Sequence, residues 1–340
     1  MTTIHDVANL AKVSTATVSN AFNWPDKVKP DTYERVVAAA KSLDYQPNVF
    51  GKGLSSGRTF NVGLLISDIR VPIVANITRG IEDKLTEAGF VPIISSTDGE
   101  SEKTLQRVDQ LRRLGACGYI LVPAQYGVTL KLVDQLEQLV QEGIPTIISG
   151  HDIESTRISS VTHIGRQMAR DLTQHLIDLN HRNIAYIGSY FSLGRGKQRW
   201  AGFQEAMTDG NIPIRNDLVS EVESLPAESF AAMEKLMTLA KPPTAIFAMN
   251  DIIARGVIDY ITQFQVKVPQ ELSIVTFDYL ALAQRTTPPI TSIVAPAYEL
   301  GVKTAELFLS QQTERKHQAD VVHLPYRFED RGSTMAHRAC

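Results

Sequence analysis

The apolar positions of the chain change period near residue 60. Over residues 3–23, TIHDVANLAKVSTATVSNAFN, Ile4, Val7, Ala8 and Ala11 recur at helical spacing; after Lys12 and Val13, Val18, Ala21 and Phe22 do the same. Thr3, with Asp6 three residues on, reads as a capping box for the first helix, and Ser14 as the cap of the second. The outer face of the second helix, Thr15, Ala16, Thr17, Ser19 and Asn20, is small and polar and carries no acid. A third helix is expected from Pro30, with Tyr33, Val36, Val37, Ala40 and Leu43 as its apolar face, ending at Asp44-Tyr45. Residues 48–56, NVFGKGLSS, follow. Gly51 and Gly53 each disfavour helix by about 1 kcal/mol relative to alanine, so this stretch reads as a linker or a helix that folds reluctantly.

From Asn61 short apolar runs alternate with amphipathic ones. Strands are expected at 62–67, 91–96, 118–122 and 145–149, with helices at 73–88, 102–114 and 130–142 between them. A second set has strands at 184–188, 244–248 and 272–277, and helices at 166–179, 199–209, 228–239 and 251–263. Alternation of this kind builds parallel sheets covered by helices on both faces. Two such sets imply two lobes with a cleft between them.

Composition narrows the reading. The 340 residues are 43% hydrophobic and 21% charged, with a net charge of −3. Residues 1–60 hold seven Lys/Arg and five Asp/Glu, so that segment is +2 and the remainder −5. No apolar run is long enough to span a bilayer, and the N-terminus lacks the profile of a signal peptide. The two cysteines, Cys117 and Cys340, make no metal or disulfide framework, which fits a reducing cytoplasm. No nucleophile elbow, zinc-binding HExxH or phosphate loop is present, and no catalytic residue, metal or cofactor is expected.

Two short helices around a turn also occur in folds that bind no nucleic acid. The specific signal is the ordered set D-V-A, A-x-V-S-x-x-T-V-S, N and then L-x-Y-x-P-N, which runs from Asp6 to Asn48. It resembles the DNA-binding headpiece of the lactose/galactose repressor (LacI/GalR) family, and the rest of the chain is similar to that family's effector core. The resemblance implies an all-α helix-turn-helix headpiece (1–47), a hinge (48–60) and a two-lobed α/β core like the periplasmic binding proteins (61–340). The first lobe would hold about 61–160 plus 292–320, the second about 161–291 plus 321–340. It implies a homodimeric, ligand-responsive regulator of carbohydrate genes on a double-stranded, pseudo-palindromic operator, with no membrane partner. Thr15, Ala16 and Asn20 would face base edges, while Thr3, Ser14, Thr17 and Asn23 fix the backbone or caps. Leu54 would wedge into the minor groove.

In open α/β lobes ligands sit beyond the carboxyl ends of the strands. Arg199, Asn250 and Asp278 match the family's effector residues. Asp68, Arg70, His151 and Ser224 fall in the same loops, with Ser224 where an aromatic residue often stacks. Arg70 with Arg199 would favour a sugar acid or sugar phosphate over a neutral sugar; Arg70 pointing to solvent is the alternative. A nucleobase or a partner protein as signal, an exported sugar-binding protein and a nucleotide-dependent enzyme are the competing readings.

Overall fold

The structure is a computed structural model, which describes residues 2–45, 59–123, 128–151, 155–189, 195–223, 225–278, 283–314 and 319–337. The chain divides into two compact units, 1–60 and 61–340.

In the first unit helices α1 (Ile4–Ala11), α2 (Thr15–Asn23) and α3 (Pro30–Ser42) enclose a core of Val7, Ala8, Ala11, Val18, Ala21, Val36, Ala39 and Ala40. Five of the eight are alanines, so the helices approach closely and the buried apolar area stays small. Lys12 takes the left-handed conformation, φ 50°, which lets the chain reverse between α1 and α2. α3 differs from the expected pattern: Tyr33 and Val37 are exposed, and Ala39 joins Val36 and Ala40 in the core. The inward face is thus rotated toward the smaller side chains. The hinge, including Gly51, Gly53 and Leu54, lies outside the described residues.

The second unit holds two six-stranded sheets. Their strands are β1 (Asn61–Ile66), β2 (Val91–Ser96), β3 (Ala116–Val122), β4 (Thr146–Ser149), β5 (Ser159–His163), β6 (Ile184–Ile187), β7 (Val219–Ser220), β8 (Ala245–Ala248), β9 (Ser273–Asp278), β10 (Thr291–Val294), β11 (Val321–Leu324) and β12 (Arg327–Glu329). The first sheet runs β11-β5-β4-β3-β1-β2, the second β12-β10-β9-β8-β6-β7. All pairs are parallel except β10 with β12. Helices α4 (Pro72–Glu87), α5 (Ser101–Arg113), α6 (Leu130–Gln141) and α11 (Ala297–Glu314) accompany the first sheet. Helices α7 (Gly165–Asp178), α8 (Arg195–Asp209), α9 (Pro226–Met237) and α10 (Asp251–Gln263) accompany the second.

The chain passes between sheets after β5, after β10 and after β11. The lobe limits therefore differ from those expected. Residues 291–294 form a strand of the second lobe, not the first, and 321–324 a strand of the first lobe, not the second. Strand β5 was not expected at all. Its sequence SSVTH is polar, yet all five residues are buried. Part of that polarity is met by distant partners: Ser159 Oγ accepts from Gln311 Nε2 and from the Asp320 amide, and His163 Nδ1 meets the Leu324 carbonyl. That last contact joins two of the crossing segments.

Among the described residues no helix is long and apolar enough to cross a membrane, and no cluster of three His, Cys, Asp or Glu could hold a metal.

Candidate functional site

The first candidate face is on α2. Ser14 Oγ accepts from the Thr17 amide at 3.1 Å, closing the N-terminal turn, and contacts Thr17 Oγ1 at 2.9 Å. Ahead of it, Asp6 accepts from both the amide and the hydroxyl of Thr3 at 2.8 Å, and the amide bond is the main cause that holds its carboxyl below the usual range. Val18 and Ala21 anchor the inner face without exposure. Ala16 and Asn20 are exposed, one helical turn apart, and Thr15, Thr17 and Ser19 are half-buried. This helix side is narrow and uncharged, with groups that can donate and accept. The side chain of Asn23 lies outside the described residues.

The second candidate is the ring of strand ends in the core. Behind β1, Ser67 is buried and Asp68 follows. Arg70 Nε and Nη2 grip the Asp68 carboxylate at 2.7–3.0 Å, with the Arg70 amide adding a bond at 2.8 Å. This grip lowers the Asp68 carboxyl and raises the Arg70 guanidinium, while the Arg70 side chain stays 82% exposed. Its charge is therefore matched within its own loop. Behind β4, Gly150 has φ 77° and turns the chain so that His151 is buried.

In the second lobe Arg199 is only 4% exposed. Its Nη1 donates to the Met249 carbonyl at 2.6 Å, and its guanidinium carbon lies 4.0 Å from the centre of the Phe277 ring. The ring face and the carbonyl hold the guanidinium fork in one orientation. Asn250 Oδ1 accepts from the Ile253 amide at 2.8 Å and caps α10. Its oxygen is thus engaged structurally. Asp251 beside it is buried, as is Ser189 behind β6.

The sequence placed Asp68, Arg70, His151, Arg199 and Asn250 at strand ends or on the helix that follows, and the structure finds them there. Ser224 and the side chain of Asp278 lie outside the described residues. Phe277, whose ring meets Arg199, was not singled out; it directly precedes Asp278, so widening that position by one residue would have caught it.

Comparison with known proteins follows the same division. Residues 3–48 match the family described as bacterial regulatory proteins, lacI family, and residues 173–334 match a periplasmic binding protein-like domain. Catabolite control protein A of Priestia megaterium is 34% identical over 334 residues, covering 98% of this chain and 99% of that protein. The HTH-type transcriptional repressor PurR of Actinobacillus pleuropneumoniae is 32% identical over 314 residues, covering 92% and 91%. A solved complex of the transcriptional regulator CelR with cellobiose is 27% identical, with a TM-score of 0.71 over 98% of this chain and 100% of that one. The capped helix-turn-helix unit, the two-sheet core and this end-to-end similarity place the chain in the lacI family of bacterial regulatory proteins: it is a DNA-binding transcription regulator.

Proposed function

We propose that this regulator represses carbohydrate genes as a homodimer on a pseudo-palindromic operator, and that a sugar or sugar derivative bound between the lobes sets its DNA affinity. The observation that carries the effector assignment is Arg199, buried and fixed against Phe277 at the carboxyl ends of the second sheet. A fixed donor fork beside acceptors suits a polyhydroxyl ligand. Arg199, His151, Asp68, Asn250, Asp278 and Ser224 hold the ligand in this reading. Because its oxygen caps α10, Asn250 presents its amide N–H groups. Pairing with Asp68 removes Arg70 from the charge argument, so a neutral sugar is preferred over its acid. The cleft binds this ligand without turning it over. CelR, similar along its whole length, is solved with cellobiose.

On the DNA side Asn20 reads a base edge, adenine being the usual partner of Asn. Thr15 and Ala16 lie beside it, Ala16 giving apolar contact only. Thr3, Ser14, Thr17 and Asn23 hold caps or phosphates, and Leu54 enters the minor groove. Effector and operator are linked through lobe closure.

The test is a thermal-shift screen of the full chain against sugars, sugar acids, sugar phosphates and nucleobases, with Asp278→Ala as control. A stabilising neutral sugar whose effect is lost in the variant supports the reading. A hit that survives the variant moves the site elsewhere, and no hit favours a protein signal. On duplexes enriched from a random pool, Asn20→Ala should cost about 1–3 kcal/mol and relax preference at one position per half-site. An equal loss on all sequences contradicts its role.

A further inference from the structure

The recognition helix α2 carries no charged side chain, and the chain as a whole is acidic. Cationic attraction of phosphate by this unit therefore has to come from residues outside α2. Lys12 stands two residues before the cap Ser14 and is exposed. Beyond the other end, the 3-10 turn Pro25–Lys27 begins directly behind Trp24, and Lys27 and Lys29 are exposed there. Nine residues of α helix span about 13 Å, close to the roughly 12 Å width of the major groove. A cation just past each end of such a helix is within reach of the phosphates that border the groove it enters.

Trp24 makes the second end unusual. It is 58% exposed, more than Tyr33 or Phe60, and it is not among the residues of the headpiece core. Its amide donates to the Asn20 carbonyl at 2.7 Å and its carbonyl accepts from Lys27 at 2.9 Å. The backbone of the ring is thereby tied to the last turn of α2. The Lys27 ammonium lies 4.8 Å from the ring centre. An ammonium resting on an indole face is oriented before any partner arrives, which lowers the ordering cost of using it. Asp26 lies in the same turn and Asp31 in the first turn of α3, so the local charge is mixed. What the turn offers is a flat apolar surface with a positioned cation at its edge. A deoxyribose beside its phosphate has the complementary form.

We propose that Trp24 and Lys27 form a clamp on the DNA backbone at the C-terminal end of the recognition helix, the indole against sugar and the ammonium on phosphate, with Lys12 as its counterpart at the other end. The proposal rests on the DNA-reading role of α2. It adds affinity and register but no base preference, because backbone contacts carry no sequence information.

The experiment uses the full chain and duplexes enriched from a random pool, with scrambled duplexes as the non-specific probe. Binding is titrated across salt for wild type, Lys27→Gln, Trp24→Ala, Trp24→Phe and Asn20→Ala. Each lost phosphate contact lowers the slope of log K against log salt by about 0.9, so Lys27→Gln in a dimer should lower it by about 2. Trp24→Ala should weaken specific and scrambled duplexes by the same factor, on the order of tenfold, and Trp24→Phe by much less. The chain has two tryptophans, so a Trp200→Phe background leaves Trp24 as the only indole, and its emission should shift when duplex binds. An unchanged slope in Lys27→Gln together with unchanged Trp24 emission on bound duplex overturns the clamp. If Asn20→Ala still relaxes base preference in that case, the reading of α2 stands without it. Failure to enrich any sequence overturns both.

Discussion

The C-terminal segment makes the second lobe acid-sensitive at one buried histidine. His181, 3% exposed, sits just ahead of β6. Its Nδ1 contacts Thr244 Oγ1 at 2.9 Å, and its Nε2 contacts Ser273 Oγ at 3.0 Å and the Met335 carbonyl at 3.1 Å. A carbonyl can only accept, so Nε2 carries the proton and Nδ1 accepts from Thr244. The same stretch is tied further by Ser333, which donates to the Ile274 carbonyl, and by the His337 amide, which donates to the Leu179 carbonyl at 2.8 Å. His181 joins the segment to three places in the lobe at once. Burial pushes its pKa down to about 4 from 6.5, and the nearby His337, His175 and Arg182 act in the same direction. The folded state thus holds the neutral ring. Stability from this group is fully present above the unfolded value of 6.5 and is lost as the pH falls toward 4, because the unfolded chain takes up the proton first. Between pH 7.5 and 5 the loss is on the order of 2 kcal/mol. Trp200 packs on Tyr186 and Phe203, with ring centres 5.0 and 5.5 Å away, and reports on this lobe. In a Trp24→Phe background, urea titrations of its emission at pH 7.5, 6.5, 5.5 and 5 give the stability. His181→Gln keeps a donor and an acceptor but cannot titrate, so the gap between it and the parent should shrink by about 2 kcal/mol on going to pH 5. A gap that stays constant would show that His181 does not titrate across folding, and the argument fails. His175, whose pKa burial also lowers, is present in both proteins and cancels.

Three other perturbations follow from the packing. Ser14→Ala removes the acceptor of the Thr17 amide and should cost the headpiece about 1 kcal/mol; duplex binding should weaken with its sequence preference unchanged, as titrations against an enriched duplex and its single-base variants would show. Gly256→Ala puts a Cβ 2.1 Å from the Pro226 carbonyl oxygen and Ser229 Oγ, so α9 and α10 must separate; urea unfolding followed at Trp200 should report a loss of about 1–3 kcal/mol. Arg70→Ala should leave affinity for a neutral sugar within about twofold, since the Arg70 charge is spent on Asp68 and exposed pairs contribute little; a larger loss by calorimetry returns Arg70 to the ligand.

What could be read from the chain depended on how far apart the partners lie. The headpiece caps were legible because Thr3 and Asp6, or Ser14 and Thr17, are three residues apart and helical geometry alone brings them together. The alternating strands and helices were legible because burial imposes a period on each. Strand β5 broke that rule: its polar residues are buried, Ser159 and His163 on partners more than 150 residues away, and nothing local marks them as interior. The lobe limits were misplaced for a related reason. Strands 291–294 and 321–324 are both short runs of mixed character, TSIV and VVHL, and which sheet each joins is decided by pairing with β9 and with β5, not by its own pattern. At the cleft, a strand-end rule found the loops but not the state of the side chains in them. Arg70 and Asp68 are two residues apart, and a loop of that length allows a mutual grip or two separate contacts; only the folded geometry chooses the grip. Asn250 was open to two readings, cap or ligand group, and the cap is present. The two need not compete, since the cap engages the side-chain oxygen and the proposed ligand contact would use the amide nitrogen. Ligand contact at Asn250 rests in this reading on the amide alone, whereas Arg199 has its carbonyl and its ring in place.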